Sequence, residues 1–206
     1  MLHLSSGYEP VSVSSISTHL EVSKPSAISM MKNLRDQGLV DYKKYKPLSL
    51  TEKGKKSAGL ILRKHRLTEM FLVEKMGFDW SEVHEIAEQM EHISSPSLFE
   101  RMDELLDFPT RDPHGSPIPN KEGTIKLSNL IRLSDCHKGD NVKVIAIGIS
   151  STEFLGYLDT KRISLGKILT VKSVEPFDHT ITIIIDDHDE LLSDKASAGL
   201  MVEKVL

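Results

Sequence analysis

His84, Glu88, Glu91 and His92 put two imidazoles and two carboxylates within nine residues, and both groups bind divalent transition-metal ions. At about 100° per residue on a helix, the four fall within roughly 100° of one another. Val83, Ile86, Ala87, Met90 and Ile93 take the opposite side. A helix with a solvated charged face would show the same separation, so this stretch alone does not require an ion. A second pair adds weight. In "RKHRLTE", His65 and Glu69 stand one turn apart inside an otherwise apolar run. Ionisable groups there need partners, because burying them uncompensated is costly. If the two helices pack antiparallel, His65, Glu69, His84, Glu88, Glu91 and His92 could surround one or two ions. A His/Glu ion-pair network between the helices is the alternative. Carboxylates with some imidazole and no thiolate suit Mn(II), and Fe(II) less selectively; Zn(II) would bind as well.

The elements that must position these groups can be read from periodicity and punctuation. From Thr51 to about Met76 the chain reads as one long helix with Thr51 as its cap. Its later half, with Leu60, Ile61, Leu62, Leu67, Met70, Phe71, Leu72 and Val73, is apolar nearly all round. Such a helix is buried within its domain or against a partner chain. Asp79 and Glu82 fit a capping box for a following helix from Trp80 to about Ile93. "SPSLFERMDELLDF" gives a further short helix. Residues 109–123 hold four prolines and two glycines, which predicts a linker.

On the N-terminal side, residues 11–40 predict two short helices around a tight turn at Glu21–Ser23. The second starts near Ser23, tolerates Pro25 in its first turn, buries Ala27, Ile28, Met31 and Leu34, and stops at Gly38. "LVDYKKYKPLSLT" then supplies two strand-like pieces around a Lys-rich tip, the pattern of a winged helix-turn-helix. Beyond the linker, "NVKVIAIGI", "KILTVKSV" and "TITIIID" change the period to that of strands, with "STEFLGYLDT" as a helix, and predict a small β-barrel. The fold class is therefore α+β and multidomain. The expected domains are a winged helix-turn-helix over 1–52, a helical metal-binding and dimerisation domain over 53–108, the linker at 109–123 and a barrel over 124–206.

Charge is distributed unevenly. Residues 24–66 hold 12 Lys/Arg against 3 Asp/Glu, whereas residues 67–112 hold 3 against 12. A basic block in a chain of net charge -4 points to a polyanion partner for that part alone. Cys136 is the sole cysteine, which excludes an intrachain disulfide and a zinc ribbon. No apolar run reaches the ~20 residues of a membrane-spanning helix, and the N-terminus lacks a secretory signal, so a cytoplasmic protein is expected.

Taken together, the winged helix-turn-helix, "RKHRLTE", "VHEIAEQMEH", "DPHGSPIP" and the small barrel resemble the diphtheria toxin repressor and manganese transport regulator family of metal-dependent repressors. The resemblance covers most of the chain. It implies ligand roles for Glu88, Glu91 and His92, and places His65, Glu69 and His84 at ligand positions too. It implies manganese through Glu88, where iron sensors carry cysteine, while His84 keeps iron open; Glu153 is the one candidate ligand in the barrel. It also implies ligands from a first helix that would precede Met1, of which "MLHL" resembles the last turn, with His3 off the ligand positions. The chain is thus expected to start late or to be shortened. On DNA, Ser23, Lys24, Pro25, Ser26 and Ser29 would enter the major groove while Lys43, Lys44 and Lys46 hold phosphate. A symmetric dimer on palindromic operator DNA is expected. A metal-dependent hydrolase and a winged-helix protein with a purely structural His/Glu network are the competing readings.

Overall fold

The computed structural model describes residues 11–43, 46–125 and 129–205. These fall into two compact units, one built on 11–63 and 119–125, the other on 64–118 and 129–205.

In the first unit, α1 (Val13–His19) and α2 (Lys24–Asp36) form the helix-turn-helix, and β1 (Val40–Asp41) pairs antiparallel with β2 (Ser49–Leu50) as the wing. Ser12 and Ser15 form a reciprocal capping box on α1. Ser23 caps α2 by accepting from the Ser26 amide, and Pro25 sits in the first turn, where its missing N–H costs nothing. Gly38, at φ 70°, ends α2 in the left-handed conformation glycine tolerates. Val11, Ile16, Met31, Val40 and Leu48 make the core of this unit.

α3 (Glu52–Met76) begins in the first unit and ends in the second. Thr51 caps it: its hydroxyl accepts from the Gly54 amide at 3.0 Å and donates to the Gly38 carbonyl at 2.7 Å. The second unit continues with α4 (Val83–Met90) and α5 (Pro96–Leu105). Asp79 does not cap α4. Its carboxylate accepts from the amide and hydroxyl of Ser81 in an Asx turn, so the helix starts only at Val83, three residues later than the sequence predicts.

The β-rich part holds β3 (Ile131–Arg132), β4 (Asn141–Ile147), α6 (Thr152–Thr160), β5 (Ile168–Val174), β6 (Ile181–Ile185), β7 (His188–Leu192), α7 (Asp194–Ala198) and β8 (Leu200–Lys204). The sheet is antiparallel in the order β3-β8-β4-β5-β6-β7. Register shifts between Val144 and Ala146, and between Val171 and Ser173, bend it into the small SH3-like barrel. Its interior is apolar, with Leu133, Val142, Leu169, Ile183 and Leu200 fully buried. Among the described residues, no helix is long and apolar enough to cross a membrane.

Residues 109–118 differ from an exposed spacer. Asp112 and His114 are only 6% and 2% exposed. The His114 carbonyl accepts from the Ile147 amide of β4 at 2.8 Å. Gly115, at φ 81°, lies so close to β4 that a Cβ there would sit 2.1 Å from the Ile145 carbonyl oxygen. Proline and glycine serve here to thread a tight loop into a packed site, not to keep it solvated.

Candidate metal centre

α3 supplies His65 and Glu69, buried and one turn apart, as their spacing requires. α4 brings His84 against them. Three donor atoms converge: His65 Nε2 and Glu69 Oε1 at 3.0 Å, His65 Nε2 and His84 Nδ1 at 3.1 Å, and His84 Nδ1 and Glu69 Oε1 at 3.1 Å. Cis donors about 2.1 Å from a six-coordinate ion lie about 3.0 Å apart, against about 3.4 Å around a tetrahedral one. The triangle therefore has the dimensions of one octahedral face, and its two imidazoles and one carboxylate are a donor set for Fe(II) or Mn(II). The residues fit the ion. Without one, a proton must take its place, because two imidazole nitrogens facing at 3.1 Å cannot both present lone pairs.

The outer shell orients the triad. Glu91 Oε2 lies 2.9 Å from His65 Nδ1. A Nδ1–H donated to that carboxylate fixes the tautomer that leaves the His65 Nε2 lone pair for the ion. On the other side of Glu69, Oε2 lies 3.8 Å from His114 Nδ1, while His114 Nε2 lies 3.0 Å from the Trp80 carbonyl oxygen and its ring stacks on the Trp80 indole. Asp112 receives the Arg66 guanidinium at 3.2 Å and the amides of His114 and Ser116. Glu69, Asp112 and His114 form a second, fully buried group able to bind an ion. Arg66 already occupies one Asp112 oxygen, which makes the His65–Glu69–His84 face the better fit.

Electrostatics follow from this packing. Burial opposes ionisation of Glu69, but His114, His65 and His84 overcome it and hold the carboxyl far below the usual carboxylate range. Burial pulls His65 down, yet Glu69 and Glu91 leave its pKa raised. Burial likewise opposes the charged form of His114, and Glu69 with Asp112 outweighs it. For Asp112, burial dominates and pushes the carboxyl up to about 6, with the Glu69 charge adding to it and Arg66 and His114 resisting.

Of the six residues singled out from the sequence, four are thus gathered: His65, Glu69 and His84 in the triad, and Glu91 behind it. Glu88 and His92 stand exposed on the outer side and belong to neither donor group among the described residues. His92 Nε2 lies 3.9 Å from Glu91 Oε1, with its side chain 74% exposed. Glu153 lines a cavity of about 430 Å³ together with His84, Glu82 and Glu85, but contributes no donor to the triad. Asp112 and His114 were not expected from the sequence, because the surrounding prolines read as a linker. No local signal marks them, since their burial depends on β4 and Trp80.

In the winged helix, Ser23, Lys24, Pro25, Ser26 and Ser29 are exposed at the N-terminal end of α2, and the hydroxyls of Ser23 and Ser26 bond each other at 2.8 Å. Lys43 and Lys46 are exposed on the wing. Lys44 and the "MLHL" segment with His3 lie outside the described residues.

A winged helix and a buried imidazole–carboxylate face in one chain place it in the class of metal-responsive DNA-binding proteins. Residues 1–48 match the family described as the iron dependent repressor N-terminal DNA binding domain. Residues 51–120 match its metal binding and dimerisation domain, and residues 131–204 the FeoA domain. The iron-dependent repressor IdeR of Mycobacterium tuberculosis is 34% identical over 140 residues, a stretch covering 63% of this chain and 60% of that repressor's length. A manganese-dependent transcriptional repressor solved in complex with manganese is 34% identical, with a TM-score of 0.91 over 97% of this chain and 93% of that one. The apo form of the manganese-activated repressor ScaR superposes with a TM-score of 0.89 at 29% identity, over 99% of this chain and 97% of that one. The chain belongs to the family of metal-dependent repressors that includes the diphtheria toxin repressor and the manganese transport regulator. These matches carry the repressor reading and not the hydrolase alternative.

Proposed function

We propose that the protein is a transcriptional repressor that binds operator DNA as a homodimer when loaded with Mn(II) or Fe(II), and so controls genes of metal uptake or homeostasis. It acts as a binding protein, not an enzyme, and works in the cytoplasm where its DNA lies. The observation that carries the reading is the triangle of His65 Nε2, Glu69 Oε1 and His84 Nδ1, with edges of 3.0, 3.1 and 3.1 Å, in a chain that also presents an exposed recognition helix. Its imidazole and carboxylate donors suit Mn(II) or Fe(II), and Zn(II) can substitute in vitro.

His65, Glu69 and His84 hold the ion, and Glu88 of α4 with Glu91 and His92 just after it form an outer ligand set. A bound ion supplies the positive charge that ties the carboxylates and imidazoles of α3 and α4 together. Ser23, Lys24, Pro25, Ser26 and Ser29 meet bases and phosphates in the major groove, and Lys43, Lys44 and Lys46 hold the backbone. Exposed apolar side chains around α5, namely Ile93, Leu105 and Phe108, suit the dimer contact. Metal and DNA affinities are then linked: whatever the ion adds to DNA affinity, DNA adds to ion affinity.

The test is selection of duplex DNA from a randomised pool by the full chain, with Mn(II) present and with a chelator present. Enrichment of a palindromic sequence under Mn(II) alone is expected. Equal enrichment under chelator would contradict the repressor reading and favour a purely structural His/Glu network.

A further inference from the structure

α4 carries His84 and ends at Met90, with Glu91 as its C-cap residue. There is no cation in its last turn, and no glycine follows Glu91 to turn the chain. The carbonyls of Glu91 and Ile93 lie just past its last residue, Met90, and a side chain of α3 meets them. Lys64 Nζ donates to the Ile93 carbonyl at 3.0 Å, lies 3.4 Å from the Glu91 carbonyl oxygen and sits 5.0 Å from the centroid of the Phe99 ring of α5. An ammonium has three donors and no acceptor, and this one is committed to two carbonyls and an aromatic face. It is half-buried, not a solvated lysine.

The neighbour of Lys64 in sequence is His65, whose Nδ1 meets Glu91 Oε2 at 2.9 Å. One turn of α3 therefore grips the end of α4 twice, through the backbone by Lys64 and through the Glu91 side chain by His65. We propose that Lys64 is a positioning residue for the metal centre. Its ammonium docks the end of α4 so that Glu91 meets His65 Nδ1, and His65 Nε2 is thereby presented to the ion. This role rests on the reading that His65, Glu69 and His84 hold the ion. A second effect opposes it, since a fixed cation beside the site repels a dication. The two differ in sign, so removal of the ammonium separates them.

The experiment is Mn(II) titration calorimetry on the full chain, comparing wild type with Lys64→Met, Lys64→Arg, Glu91→Gln, the Lys64→Met/Glu91→Gln double variant and His84→Ala. Outer-shell partners of metal ligands typically contribute 10–100-fold in affinity, so Lys64→Met is expected to weaken binding about 10-fold or more. Lys64→Arg should restore most of the affinity, as its guanidinium reaches the same carbonyls. Because Lys64 acts through Glu91, the double variant should lose little beyond Glu91→Gln alone. If Lys64→Met does not fold, Lys64→Gln takes its place, with metal-free melting as the control. Affinity unchanged or raised in Lys64→Met, or losses that simply add in the double variant, would overturn the role. Undiminished binding by His84→Ala would identify the metal-site reading itself as the failure, and this role with it.

Discussion

Replacing Glu69 by Gln keeps the shape of the side chain and deletes the one charge shared by three imidazoles. Glu69 lies 3.0 Å from His65, 3.1 Å from His84 and 3.8 Å from His114. In the metal-free protein the effect depends on pH, with a sign fixed by the shifts. The Glu69 pKa is depressed, so its contribution is present above its unfolded value of 4.5 and is lost as pH falls through the much lower folded value. The pKa values of His65 and His114 are raised from 6.5, so their contribution is complete below 6.5 and is lost as pH rises through the folded values. Between about pH 5 and 6 both halves of the pairing are present, and breaking a buried pair by removing one partner costs roughly 3–5 kcal/mol. Once pH has risen through the raised values of His65 and His114 their imidazoles are neutral and the loss shrinks toward the ~1–2 kcal/mol of hydrogen bonds alone. Urea unfolding in EDTA at pH 5.5 and 8.5 measures the difference. A Glu69→Gln penalty of equal size at both pH values would refute the coupled-charge description. With Mn(II) present, loss of an anionic ligand should exceed the outer-shell effect and weaken binding by about 100-fold or more.

Four further outcomes follow from the geometry. Mn(II) affinity should fall as pH drops from 8 to 6, because protons compete for the raised His65 site; calorimetry in buffers of different ionisation heat should show proton release on binding. Lys43→Gln and Lys46→Gln should weaken DNA binding without changing sequence preference, each lowering the slope of log affinity against log salt by about 1. Ser29→Ala should instead alter the sequence selected from a random pool. Gly115→Ala should destabilise the second unit by about 2 kcal/mol or more, read by urea unfolding, since it combines φ 81° with a Cβ placed 2.1 Å from the Ile145 carbonyl oxygen.

The helices and caps were readable because they are local. Ser23, Pro25 and Gly38 act through neighbours one to four residues away, and the His65–Glu69 spacing is a property of α3 alone. Periodicity also put His84, Glu88, Glu91 and His92 on one face of a helix reaching about Ile93, but α4 ends at Met90, and periodicity cannot say how wide a strip of that face is covered. Packing on α3 covers the His84 and Glu91 edge and leaves Glu88 and His92 exposed. Asp112 and His114 were hidden for a different reason: their burial depends on β4 and on Trp80, about 30 residues away in either direction, and nothing local reports that contact. Strands β7 and β8 show no clean apolar alternation, because Asp189 and Glu203 lie on the solvent side and Glu190 takes a half-buried position opposite Ile183. Asp79 shows that one side chain can serve two local motifs, and here the Asx turn wins over the capping box.

The central claim is that the ion held by His65, Glu69 and His84 sets the affinity for DNA. Fluorescence anisotropy of a labelled operator duplex, taken from the selected pool and titrated with Mn(II), tests it directly when wild type is compared with His65→Ala. Wild type should bind tightly only once Mn(II) is present, and His65→Ala should need at least about 100-fold more Mn(II) for the same binding. Wild-type binding that ignores Mn(II), or identical Mn(II) curves for the two proteins, would contradict the account.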